Sequence, residues 1–407
     1  MSFATGASGA LAYAFHVLAA RALGPTDFGL IAVLWAAMFL AVVVLFRPLE
    51  QTTSRAVADR LARSDVAAAA GVFRSVLTIY AATVVALAVA GAVGWTVLTE
   101  RLFVGNDALT AALLLGVAGY GIAYILRGLL SGCGWFEGYG LLLLGDAGVR
   151  LLAAAPLVAV ASARLAGVAV AVAGVGGALL PVLFGVRRLR PFLAGRRSDD
   201  FRVGRAVAFA APAGLIAAAD QVLVNGGPIL VMLGGGGAET AGLVFAATML
   251  VRVPVFLFQG LAASLLPNLT RLNARDEVAR FRRGVFRTSL LLFAIGVAAA
   301  AGAAAAGPQT LRALFGAEFS AGRVELTLLG AGVAFYLVAA TVSQALLAVN
   351  AVRGAAAAWS VSALAFLLGY AALPGDDLLR ISESFVAATA LAAGALAALL
   401  IRRLGRQ

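Results

Sequence analysis

The chain has 407 residues, 62% of them hydrophobic and 12% charged, with a mean hydropathy of +1.00. A soluble domain carries about 25% charged residues, so this composition excludes a soluble globular fold and makes the location of the +12 net charge more informative than its size. All 31 basic residues are Arg; the single Cys133 excludes an internal disulfide, and the single His16 excludes a multi-histidine metal site.

Apolar runs long enough to cross a hydrocarbon core of about 30 Å recur from end to end. In chain order they cover 3–22, 28–47, 72–94, 109–131, 139–161, 165–186, 206–233, 242–265, 286–306, 325–348, 355–373 and 384–402. The expected fold is an all-α polytopic membrane protein of twelve spans. The first run lacks a basic flank and reads as a retained helix, not a cleaved signal. LGPTDFG at 23–29 reads as a tight outer turn: Gly24 and Pro25 end one helix, Thr26 or Asp27 caps the next, and Gly29 permits close packing. After span 2 comes RPLEQTTSRAVADRLARSD, and 263–287 follows span 8 with ASLLPNLTRLNARDEVARFRRGVFR. Each segment reads either as a helix lying on the inner leaflet or as a charged extension of its span.

Arginine placement sets the orientation. One side collects Arg55, Arg60, Arg63 and Arg74, then Arg187, Arg188, Arg190, Arg196, Arg197, Arg202 and Arg205. It continues with the cluster from Arg271 to Arg287 and ends with Arg402, Arg403 and Arg406. The other side holds Arg101, Arg164, Arg312, Arg323 and Arg380. The arginine-rich side is expected to be cytoplasmic, with both termini there, in a bacterial inner membrane. The loop at 132–138 departs from the pattern, since it is expected on the cytoplasmic side yet contains no Arg.

The two halves resemble each other. At an offset of 213 positions (237 less 24), Gly24 falls on Gly237, Gly29 on Gly242, Leu30 on Leu243, and GVFRS at 71–75 on GVFRT at 284–288. An even number of spans per repeat gives both halves the same orientation in the membrane. The expected domains are two six-helix bundles related by a parallel repeat, residues 1–198 and 199–407.

Charges inside spans are costly and usually face a partner or a cavity. Arg252, deep in span 8, reads as a phosphate-binding donor or as a structural Arg bonded to neighbouring carbonyls. Asp146 and Arg150, four apart on span 5, read as an intrahelical ion pair. Arg127 lies near the end of span 4, within reach of headgroups. Arg47 and Glu50 flank Pro48 and read as a cytoplasmic gate or as interface markers. Asp220, with Gln221 and Asn225 before Gly226-Gly227-Pro228, reads as a coupling-ion site beside a broken helix, or as the partner of a cavity Arg. His16 reads as a packed polar residue or a proton relay.

ARALGPTDFGLIAV at 20–33 is similar to the opening signature of Wzx-like polysaccharide flippases of the multidrug/oligosaccharidyl-lipid/polysaccharide (MOP) exporter superfamily. GLVFAATMLVRVPVFLFQGLAASLLPNLTRL at 242–272 resembles that family's eighth helix and the segment after it. The resemblance implies two bundles forming a V around a central cavity. It also implies transfer of an undecaprenyl-diphosphate-linked oligosaccharide from the inner to the outer leaflet. Related lipid II flippases line their cavity with arginines on helices 1, 2 and 8; Arg21, Arg47 and Arg252 stand at comparable places. Those relatives usually have fourteen spans, two of them forming a groove for the polyprenyl tail, and the twelve spans here argue against that role.

The expected function is a non-enzymatic flippase without a cofactor, coupled to Na⁺ or H⁺ and embedded among membrane lipids. Its substrate-binding residues would be Arg252, Arg47, Arg21 and Arg127, its coupling-ion residues Asp220 and Asn225, and its gate Glu50. A glycosyltransferase or polymerase partner would have the basic cytoplasmic face to dock on; no nucleic-acid partner is expected. The alternative is a cation-coupled multidrug exporter of the same superfamily. A membrane enzyme is disfavoured by the short outer loops, and ATP drive by the lack of a phosphate-binding glycine loop. The orientation is testable in a Cys133→Ser background with an impermeant maleimide. Arg101→Cys should label in intact cells and Arg60→Cys only after permeabilisation; the reverse pattern would invert the topology.

Overall fold

A computed structural model describes residues 2–193, 203–275 and 277–405. Among these residues the regular structure is helical, with thirteen α-helices and one short 3-10 turn. The helices are α1 Ser2–Ala62, α2 Val66–Val93, α3 Trp95–Phe103, α4 Asp107–Gly132, α5 Phe136–Ala153, α6 Ala163–Leu193 and α7 Val203–Leu233. They continue with α8 Gly237–Val251, α9 Val253–Ala274, α10 Val278–Phe315, α11 Arg323–Ala348, α12 Val352–Ala372 and α13 Asp377–Leu404. Ten helices are long and apolar enough to cross a bilayer. The longest, α1, contains two spans, and α8 with α9 makes one more. Among the described residues these make twelve candidate crossings, and the chain is a multi-pass all-α membrane protein.

The 61 residues of α1 are interrupted at Gly24, whose φ of 73° and ψ of 176° are not helical. That φ is open to Gly at little cost. The chain folds back there: His16 and Trp35 lie with ring centroids 4.6 Å apart. A straight helix would separate them by about 28 Å at 1.5 Å per residue. Gly237, its repeat counterpart, also has a positive φ of 81° and starts α8. The two halves thus place a left-handed glycine at equivalent points of their first turns.

The chain divides into two compact units, residues 3–23 with 30–217, and residues 24–29 with 218–407. The expected boundary at 198/199 lies outside the described residues, as do Arg196, Arg197, Arg202 and Arg406; the side chain of Arg205 is likewise not described. The six residues of the GPTDFG turn belong to the second unit, and the reason is steric. Phe28 is fully buried there, with its ring 5.9 Å from Phe245, 5.7 Å from Phe319 and 6.3 Å from Phe315. A Cβ on Gly29 would stand 1.7 Å from the carbonyl oxygen of Ala238. A Cβ on Gly242 would stand 2.5 Å from the carbonyl oxygen of Pro25 and 3.0 Å from Gly29 Cα. The glycines matched by the repeat therefore meet backbone to backbone.

One open reading is settled and one expectation changes. The segment after span 2 continues α1 without a break to Ala62, so it is a helix extension, and α9 likewise runs on to Ala274. The expected break at Gly226-Gly227-Pro228 does not occur, because α7 runs unbroken to Leu233. Pro228 removes one helical hydrogen bond, but the turn is braced: Gly227 packs toward Val244 and Ile381, Gly226 toward Phe366. The break falls instead in span 8, at Arg252. Pro254 has no N–H and is best placed in the first turn of a helix, where that donor has no partner to lose. Accordingly α8 ends at Val251, Arg252 forms a tight turn with its N–H on the Met249 carbonyl at 3.3 Å, and α9 restarts at Val253.

Val85, Val89, Leu179, Leu183 and Leu368 are exposed apolar positions on spanning helices, the arrangement a hydrocarbon surround demands. Gly29→Val should lower stability by roughly 1–3 kcal/mol or more through overpacking against α8. Thermal unfolding in detergent would show a clear fall in Tm, and an unchanged Tm would refute the backbone contact.

Candidate functional site

Among the described residues, three polar clusters hold most of the intramembrane charges singled out in the sequence. In the first unit, at the end of the second span, Glu50 of α1, Arg127 of α4 and Tyr139 of α5 converge. Arg127 Nε lies 3.4 Å from Glu50 Oε1, with the two side chains 17% and 13% exposed. Arg127 donates from Nε and Nη2 to Tyr139 Oη at 3.0 and 2.7 Å, and Tyr139 in turn donates to Glu50 at 3.3 Å. The guanidinium also lies over the Tyr124 ring, 4.4 Å from its centroid. Arg47, one turn before Glu50, is exposed. Arg21 is exposed too, on the first arm of α1. Thus Arg47, Glu50 and Arg127 occupy one region, whereas Arg21 stands apart.

Deeper in the same unit, Arg150 is 1% exposed. Its Nη2 donates to Asp146 at 2.6 Å and to Tyr120 Oη at 2.9 Å, while Tyr120 donates to Asp146 at 2.5 Å. Trp35 closes the cluster, 4.5 Å from the guanidinium carbon, and packs on His16 at its edge. The expected ion pair of span 5 is present and neutral overall. His16, 1% exposed between Phe15 and Trp35, is a packed ring.

The third cluster lies in the second unit and connects a carboxylate to a guanidinium. Asp220 Oδ1 accepts from Tyr336 of α11 at 2.6 Å, and its Oδ2 accepts from Gln221 Nε2 at 3.2 Å. Gln221 Oε1 accepts from Asn225 Nδ2 at 2.7 Å, and Asn225 Oδ1 accepts from Arg252 Nη1 at 3.2 Å. Arg252 is 8% exposed, and its Nη2 is buried without a hydrogen-bond partner. That nitrogen belongs to a side chain lining a cavity of about 10 Å³ with Val224, Pro228, Phe245, Thr248 and Ile381. The space admits about one water. Helical geometry explains the relay on α7: positions 221 and 225 share a face four residues apart. The break at Arg252 supplies the rest, since it turns this residue out of the α8 hydrogen-bond ladder.

Of the seven site residues expected from sequence, Asp220, Asn225 and Arg252 are brought together, and so are Arg47, Glu50 and Arg127. Tyr336, Tyr139 and Tyr120 were not anticipated. Their signal was a phenol in the middle of an apolar span, where a hydroxyl must find a partner. No group of three or more His, Cys, Asp or Glu side chains placed to hold a metal occurs among the described residues.

No family model matches the chain. An uncharacterized protein of Mycobacterium tuberculosis is 29% identical over 375 residues, covering 90% of this chain and 80% of its own length. An uncharacterized protein of Mycobacterium bovis is 28% identical over 383 residues, covering 92% and 83%. Among solved structures, the inward-facing conformation of a multidrug resistance MATE family transporter of the MOP superfamily matches with TM-score 0.80 at 15% identity. It covers 97% of this chain and 94% of that one. The outward-facing conformation of a multidrug resistance MATE family transporter matches with TM-score 0.70 at 15% identity, covering 100% and 95%. The chain has the fold of these MOP-superfamily proteins.

Removing one partner of a buried ion pair strands the other. Arg150→Ala should therefore destabilise the protein by about 3–5 kcal/mol. Arg150→Met combined with Asp146→Asn should cost much less. Thermal unfolding of both variants measures this; equal losses would mean that the pair is not the source of the penalty.

Proposed function

We propose that this chain is a flippase that moves an undecaprenyl-diphosphate-linked oligosaccharide from the cytoplasmic to the outer leaflet by alternating access, for polysaccharide biosynthesis. The observation that carries the reading is the partnerless, buried Nη2 of Arg252 at a helix break. A guanidinium left one donor short in a low-dielectric interior is suited to a phosphate oxygen. In the resting arrangement its cavity is too small for a diphosphate, so the ligand would enter as the Arg252 turn opens. In this reading Arg47, Arg127 and Arg21 of the first unit are further donors to a diphosphate headgroup. Glu50 acts as the gate in this scheme: it neutralises Arg127, and an incoming anion would compete for that guanidinium.

The relay from Asp220 through Gln221 and Asn225 supplies the coupling. A Na⁺ or H⁺ taken up at Asp220 would alter the hydrogen-bond order through both amides and reach Arg252, so ion and substrate sites would exchange free energy. The second reading, a cation-coupled multidrug exporter, rests on the names of the matched structures and on the same carboxylate. The arginine excess inside the spans favours an anionic cargo. A bacterial inner membrane with cytoplasmic termini follows from this reading and from the arginine distribution. A glycosyltransferase or polymerase could then deliver or receive the glycan at the membrane.

Leaflet transfer of an undecaprenyl-diphosphate oligosaccharide in proteoliposomes is the test. Arg252→Ala should slow transfer by roughly ten- to a hundredfold, the loss of one charge-assisted hydrogen bond, in a protein that still unfolds cooperatively. Transfer at the wild-type rate would remove Arg252 from the substrate path. Wild-type protein that moves ethidium but no lipid-linked glycan would favour the exporter.

A further inference from the structure

A groove on the second unit takes no part in the clusters above. Helices α10 and α13 each pack on α11, and a cavity of about 740 Å³ lies over α11 between them. That size falls within the range of roughly 300–1,000 Å³ typical of built ligand pockets. Phe286, Leu290 and Phe293 of α10 face Val342 of α11 and Leu400 and Ile401 of α13. Phe286 is 67% exposed and Ile401 71%, so the apolar wall is open to the outside of the bundle.

One end of this wall is cationic. Arg282 and Arg283 line the cavity in the second turn of α10, and Leu404 and Gly405 close it at the end of α13. The N-terminus of α10 adds the positive end of its dipole. Among the described lining residues none is acidic. On the wall, Ser289 Oγ is buried and has no hydrogen-bond partner. An occupant should therefore carry an anionic, oxygen-rich head and a hydrocarbon chain.

The geometry points to a binding site for an anionic phospholipid, its phosphate held by Arg282 and Arg283 and one acyl chain lying along Phe286, Leu290 and Ile401. Guanidinium groups bind phosphate oxygens in a forked, charge-assisted way, and basic pockets between transmembrane helices recur as anionic headgroup sites. The site is independent of the flippase reading, because it requires neither the Asp220–Arg252 relay nor transport. Its charge complementarity to a phosphate sets it apart from a groove filled by any lipid.

The test places a reporter in the groove. Phe286→Trp is read in liposomes by quenching with brominated phosphatidylglycerol or brominated phosphatidylcholine, after subtracting the signal of the four native tryptophans. Phosphatidylglycerol should quench at a mole fraction lower by on the order of tenfold, the preference two arginines give for an anionic lipid. Arg282→Ala with Arg283→Ala should abolish that preference while quenching by phosphatidylcholine persists. Arg402→Ala with Arg403→Ala removes equal charge just outside the lining and should leave the preference in place. Equal quenching by the two lipids would overturn the proposal. So would a preference lost equally in both double variants, which marks diffuse attraction. Absence of quenching by either lipid would also overturn it and mean that protein covers the groove.

Discussion

A guanidinium or carboxylate carried into a bundle surrounded by hydrocarbon loses its water and must recover that loss from neighbouring side chains. This constraint organises the interior of the protein. Arg150 recovers most of it from Asp146, Tyr120 and the face of Trp35, with its Nε left unbonded, and the result is a locked structural cluster. Arg127 recovers it from Glu50 and two tyrosines near a helix end. Arg252 recovers only part: one nitrogen bonds Asn225 and another bonds nothing. Arg150 and Arg127 each meet a carboxylate directly, whereas Arg252 reaches one only through two amides, and that difference separates architecture from candidate chemistry.

The backbone is arranged to make that partial satisfaction persist. Pro254 stands in the first turn of α9, which restarts just after Arg252, so that residue sits at a joint and not in a ladder. Meanwhile α7 presents Gln221 and Asn225 on one face, and their amides join the guanidinium to the Asp220 carboxylate. Tyr336 holds the carboxylate from α11. A change of charge at Asp220 is thereby connected to the hydrogen bonding of a residue several turns away in another helix. The turn at 24–29 stabilises the same unit from the other end, where Gly29 and Gly242 let two backbones touch and Phe28 fills the space beside Phe245.

Much of this was legible in the chain itself. Hydropathy located the spans because hydrocarbon imposes a strong length rule, and the matching offset of Gly24 and Gly237 recurs as matching positive φ. The ion pair of Asp146 and Arg150 followed from spacing alone. Helix continuity was less legible. Gly226-Gly227-Pro228 looked like a breaker, yet side chains from α8, α12 and α13 support it, whereas the single Pro254 breaks span 8. Local propensity cannot reveal that support, since it comes from helices far away in sequence. Tyr336 and Tyr139 escaped notice for the same reason: nothing nearby in the chain marks the carboxylates they bind.

The central claim is that Asp220 and Arg252 act as one unit. A double-mutant cycle on the initial rate of ion-driven transfer, with Asp220→Asn, Arg252→Gln and the pair together, tests it most directly. Coupling through the relay predicts that the double variant is no slower than the slower single variant, because either change already breaks the chain. Losses that simply multiply would mean two independent sites and contradict the account.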